Sequence, residues 1–136
     1  MTFKEYLDKN LNKYYLNTLE QNGFEITKSD FRGMGAGYYF KNNWLNFNII
    51  NDRGIIMTNI SSIYSKKVFD FNIIDAAFIQ ESGKYDLLKN LSLEQESDLF
   101  QKNIDLLYSI FNKHNYKQTE LKLHTFNKER AKLIFD

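Results

Sequence analysis

Residues 44–61 read WLNFNIINDRGIIMTNIS, and the pattern of this stretch decides the fold. Leu45, Phe47 and Ile49 alternate with Asn46 and Asn48, the period-two signature of a strand with one buried and one wetter face. Asn51-Asp52-Arg53-Gly54 interrupts the alternation with residues that tolerate the left-handed backbone a hairpin turn requires, and IIMTNIS then resumes it. Upstream, GYYF at 37–40 is set off from WLNFNII by Lys41-Asn42-Asn43, a second turn of the same chemistry. Residues 38–61 therefore predict an antiparallel meander, with Phe24-Glu25-Ile26-Thr27 as a further short strand ahead of it.

Helical signals flank the meander. Thr2 and Glu5 form the T-x-x-E capping box, and Phe3, Leu7, Leu11, Tyr14 and Leu19 follow at roughly helical spacing. Gly23 stands where a helix C′ glycine belongs, so a helix is expected over 3–22. FDFNIIDAAFIQESG, 69–83, reads as two to three helical turns capped by Asp70 or Asn72 and ended by Gly83. Ser92 and Gln95 form another capping box, and behind it Phe100, Ile104, Leu107 and Phe111 mark one apolar stripe over 93–113. The tail, 117–135, suits one helix, or a brief strand at Leu121 and Leu123 before a helix starting near Thr125 or Asn127. No repeat or linker divides the chain, so residues 1–136 are expected to form a single domain. The element order predicts an α+β fold. Its sheet is an antiparallel meander of three to five strands, with an N-terminal helix and two or three C-terminal helices packed on one side.

Composition removes several function classes. Eighteen Lys and Arg balance seventeen Asp and Glu, which withdraws the cationic excess that nonspecific nucleic-acid binding needs. With no cysteine, disulfide scaffolds, thiol catalysis and cysteine-ligated zinc are excluded. No stretch approaches the ~20 apolar residues of a membrane span, and the N-terminus lacks the apolar core of a signal peptide. A cytoplasmic protein with neither nucleic-acid nor membrane partner is expected.

Motifs for chemistry are equally sparse. Gly33, Gly35 and Gly37 sit in DFRGMGAGYYF at G-x-G-x-G spacing ahead of a strand. A dinucleotide fingerprint needs G-x-G-x-x-G running into a helix, and a Walker loop would end in G-K-S/T. The glycines therefore read as a pliable connector that delivers 38–40 into the sheet. His114 and His124, ten residues apart, match no metal-binding spacing. Asp70 with Asp75, and Glu94 with Glu96, read as charges at helix starts. Asp52-Arg53-Gly54 reads as solvated turn chemistry, and no G-x-S-x-G elbow is present. No catalytic residue, metal site or cofactor is expected. The aromatic excess, twelve Phe, nine Tyr and one Trp, leaves two uses open for the strand aromatics. Tyr38, Tyr39 and Trp44 are candidates for a partner-binding patch, since aromatics concentrate at interface hot spots, or they fill the core and its rim.

The succession WLNFNII, NDRG, IIMTNIS, FDFNIIDAAFI, a long helix and a terminal KERAKLIF resembles small bacterial α+β immunity proteins of polymorphic and contact-dependent toxin systems. The likeness covers roughly 38–80 and the last ten or so residues. It implies a non-enzymatic cytoplasmic protein that binds a cognate toxin domain and blocks its active site or assembly. Partner pairs in that family diverge, so no binding residue carries over. Many members are acidic and face basic nucleases, whereas this chain is near neutral, which points toward a different toxin chemistry.

Overall fold

A computed structural model describes residues 1–80 and 86–135, so the helix end expected at Gly83 lies outside the described residues. The fold is α+β, and the chain divides into two compact units, Met1–Val68 and the residues from Phe69 onward.

The first unit opens with α1 (Phe3–Asn10), a π-helical stretch (Leu11–Tyr15) and α2 (Leu16–Gln21). Thr2 Oγ1 accepts the Glu5 N–H at 3.0 Å, as the capping pattern predicts. The π stretch has a physical consequence. Leu7, Leu11, Tyr15 and Leu19, four residues apart, are all buried. In an unbroken α-helix a four-residue step overshoots by about 40°, so such a stripe drifts off one face. The wider π turn takes up that drift and puts Tyr15, rather than the expected Tyr14, into the core.

Four antiparallel strands follow in chain order: β1 (Glu25–Asp30), β2 (Gly35–Lys41), β3 (Leu45–Asp52) and β4 (Ile55–Ser62). β1 runs on to Asp30, beyond the expected 24–27. It carries an irregularity between Ile26 and Lys28, where Thr27 Oγ1 donates to the Tyr39 carbonyl at 3.2 Å. That bulge on an exposed strand is a known defence against edge-to-edge pairing. β2 begins at Gly35, three residues before the expected start at 38, so two of the three glycines belong to the sheet rather than to a connector.

The face toward α1 and α2 carries Phe40, Leu45, Phe47, Ile49 and Ile60. Phe47 is its hub, with ring centroids of Tyr15, Phe40 and Phe24 at 5.0, 6.2 and 6.4 Å. Fully buried Asn51 ends this row. Its Nδ2 donates to the Phe3 carbonyl at 3.0 Å and its Oδ1 accepts the Gly54 N–H at 2.7 Å, joining α1 to the β3–β4 turn.

The second unit starts with a two-residue strand, β5 (Phe69–Asp70), then α3 (Phe71–Ile74) and a π stretch (Asp75–Ile79). Of the two expected caps, Asp70 is the one used, its Oδ1 accepting the Ile73 N–H at 3.0 Å. Asn72 Oδ1 instead accepts the Leu91 N–H at 2.9 Å. Asp70 also receives the Arg130 fork, Nη1 to Oδ1 at 3.1 Å and Nη2 to Oδ2 at 2.7 Å, and this pairing raises the guanidinium's pKa.

The continuous helix expected over 93–113 is broken. α4 (Leu93–Lys102) and α5 (Ile104–Ile110) meet at Asn103, whose Nδ2 donates to the Leu99 carbonyl at 2.9 Å. Asparagine competes with the helix ladder in this way, and the backbone leaves the helical region there. Ser92 and Gln95 make the predicted reciprocal capping box of α4. The tail is a single helix, α6 (Tyr116–Phe135), with Leu123 buried and Leu121 exposed, so the strand alternative fails. Among the described residues no helix is long and apolar enough to cross a membrane.

Candidate functional site

Strand alternation sorts the candidate aromatics. Tyr38 and Tyr39 are consecutive in β2, so their side chains leave on opposite faces. Tyr38 faces the helix, where its hydroxyl donates to Asp8 Oδ1 at 2.5 Å and its ring meets Phe31 edge-on at 5.4 Å. Lys4 Nζ holds the other Asp8 oxygen at 2.8 Å. Tyr39 points to the opposite, outer face, with Lys28 Nζ 5.4 Å from its ring centroid. Trp44 lies in the β2–β3 turn, 55% exposed, at the far end of β2 from the glycines. The three residues therefore do not share one patch.

The Lys4–Asp8–Tyr38 cluster is structural and predicts a pH response. Burial alone would raise the Asp8 pKa, but the Lys4 ammonium and the Tyr38 hydroxyl outweigh it and hold the carboxyl below its ordinary value. A depressed folded pKa stabilises the fold above the ordinary value of about 4, and that contribution is lost as pH falls through the folded value. Melting temperature from pH 6 to pH 3 should thus fall less steeply in Asp8→Asn than in the natural chain. Parallel curves would show that the cluster adds nothing.

What the outer face offers instead is a groove of about 430 Å³ where β2 begins. The register sets Gly35 beside Asp52, Gly37 beside Ile50, and Ile50 beside Met57. With no side chain at 35 or 37 the floor is backbone, and Tyr39, Ile50 and Met57 form the walls. Gly35 is obligatory for a packing reason: a Cβ there would lie 2.7 Å from the Asn51 carbonyl oxygen, backbone that cannot step aside. Gly35→Ala should cost about 1–3 kcal/mol in a denaturant melt, as overpacking does. At Gly37 a Cβ would find ordinary contacts of 3.5 Å to Ile50 Cγ1 and Tyr39 Cε2, so Gly37→Ala should be much milder.

The rim of the groove is charged. Arg53 and Gly54 form a two-residue hairpin turn with φ of 54° and 95°, the left-handed pair that matches strand twist. The Arg53 N–H donates to the Met34 carbonyl at 3.0 Å, tying this turn to the loop before β2. Arg32 Nε and Nη2 donate to Asp30 Oδ1 and Oδ2 at 3.2 and 3.4 Å, and these bonds lower the Asp30 pKa. Arg53 lies 3.7 Å from Asp52. Exposed Met34, Ile55 and Met57 extend the apolar strip beside the groove. A second hollow of about 460 Å³, between 23–27 and 41–43, is lined mainly by polar groups and offers little to desolvate.

Sequence reasoning missed Met57, Ile50 and Ile55. The signal lay in the doublet Ile49-Ile50, whose members must face opposite ways, and in the i, i+2 spacing of Ile55 and Met57. His114 and His124 are both exposed, and no group of three or more His, Asp or Glu able to hold a metal occurs among the described residues. Asp70 is engaged by its cap and by Arg130. Asp75 is buried and accepts from Gln80 Nε2 at 2.9 Å. The chain matches no known family, no curated protein and no solved structure.

Proposed function

We propose that the protein is a non-enzymatic binding module of the immunity type. It acts in the cytoplasm, using the outer face of the β1–β4 meander to bind and neutralise a cognate bacterial toxin domain. The observation that carries this reading is the strip of Met34, Ile55 and Met57, 61, 66 and 41% exposed, beside the groove walled by Tyr39 and Ile50. Large apolar side chains gathered on one exposed face mark interaction surfaces more than scattered ones do. Hydrogen-bonded strands hold this one in place, so little ordering entropy opposes docking. The likeness to toxin-immunity proteins supplies the class of partner.

The test is a search of the neighbouring genes for a large toxin, followed by co-expression with that toxin's C-terminal domain. Co-purification, binding at micromolar concentration or tighter, and protection of the host are expected. Absence of both binding and protection rejects the reading. The groove's volume also suits a small ligand or substrate, the alternative reading, and saturable small-molecule binding by a chain that ignores the toxin domain would favour it.

A further inference from the structure

We infer that the groove over Gly35 and Gly37 receives one aromatic or long aliphatic side chain of the partner, and that the partner flanks this anchor with carboxylates. The inference rests on the binding reading above and specifies the chemistry of the partner's contact surface.

The floor supplies the first argument. A Cβ built on Gly37 would touch Ile50 Cγ1 and Tyr39 Cε2 at 3.5 Å, so these two side chains flank the space over the glycine, and a partner group seated above its backbone has carbon to either side. Met57 forms the third wall, and its unbranched thioether adapts to the shape of what enters. The floor and the Tyr39, Ile50 and Met57 walls present backbone and carbon, which suits an apolar or planar group, while Asp30, Arg32, Asp52 and Arg53 bring charge to the rim.

The rim supplies the second. In each rim pair the arginine is more exposed than its aspartate. Side-chain exposure is 86% for Arg32 against 31% for Asp30, and 75% for Arg53 against 58% for Asp52. Asp30 engages Nε and Nη2 of Arg32, which orients the guanidinium while leaving its Nη1 edge uncommitted to that carboxylate. An oriented fork is suited to bidentate capture of a carboxylate. Lys28, above Tyr39, adds another cation on the same face. The two arginines are balanced by their aspartates, and Lys28 tips this face to a net positive charge, which favours carboxylates on the partner over a basic contact surface.

The experiment uses the full chain and three blocked tripeptides, Glu-Phe-Glu, Lys-Phe-Lys and Glu-Ala-Glu, titrated while backbone amide resonances are followed. Glu-Phe-Glu should shift the amides of Gly35, Gly37 and Tyr39 and bind at least about tenfold more tightly than either other peptide. Gly37→Leu, which fills the groove, should abolish those shifts. Met57→Asp, on another strand, should do the same should the first variant fold poorly, and Trp44→Ala should leave them intact. Equal binding of Lys-Phe-Lys, shifts confined to the 23–27 and 41–43 hollow, or no binding by any peptide would each overturn the inference. Toxin-domain binding without groove-centred peptide binding would sink this inference and spare the immunity reading. The converse result would spare the groove and sink the toxin.

Discussion

Phe47→Ala is expected to remove about 3–5 kcal/mol of stability and to lower the melting temperature by roughly 10–20 °C. The ring is 1% exposed at the centre of β3, and three other rings meet it from the α2–β1 connection, β2 and the π stretch. Truncation forfeits the transfer energy of the ring. It also opens a cavity that the sheet on one side and Tyr15 on the other cannot collapse into without breaking hydrogen-bonded strands. Domains of this size hold only about 5–15 kcal/mol in reserve, so a large part of the folded margin goes with one side chain. Phe47→Leu, which keeps most of the volume, should cost well under half as much. Equal losses for the two variants in a urea melt would mean that this cluster is not the unit's core.

Asn51→Leu is expected to cost about 2–3 kcal/mol although leucine is a similar size and more apolar. The site is fully buried, and the amide serves two backbone groups that sit 48 residues and 3 residues away. Leucine leaves the Gly54 N–H and the Phe3 carbonyl without those partners. The damage should be local as well as global. Amide exchange should quicken at Gly54 and in the first turn of α1 before the core strands open. A variant as stable as the natural chain, with unchanged exchange at Gly54, would contradict the role given to this amide.

The meander was readable because asparagine alternates with large apolar residues over two strands, and because Asn-Asn and Asn-Asp-Arg-Gly mark the reversals. The capped helices were readable for the same local reason, since Thr2, Asp70 and Ser92 bond to amides three residues ahead. What escaped the sequence was set by contacts distant along the chain. Gly35 is fixed by a carbonyl of the next strand, and Asn51 by the start of α1. The break at Asn103 is a local competition that an uninterrupted apolar stripe concealed. Of the candidate site, Tyr39 was legible and stands on the groove, whereas Tyr38 is drawn into the Asp8 cluster and Trp44 sits at the other end of β2. Of the three glycines that read as a connector, Gly35 and Gly37 form the floor of the candidate groove.

The most direct test of the proposed binding role for the outer sheet face is calorimetric titration of the C-terminal domain of a toxin encoded next to it into the natural chain and into Tyr39→Ala, Met57→Asp and Trp44→Ala, each first shown to melt cooperatively. The account predicts a loss of about 30-fold or more for the first two, the scale of interface hot spots, and a change within about threefold for Trp44→Ala. Undiminished affinity in both Tyr39→Ala and Met57→Asp would contradict it.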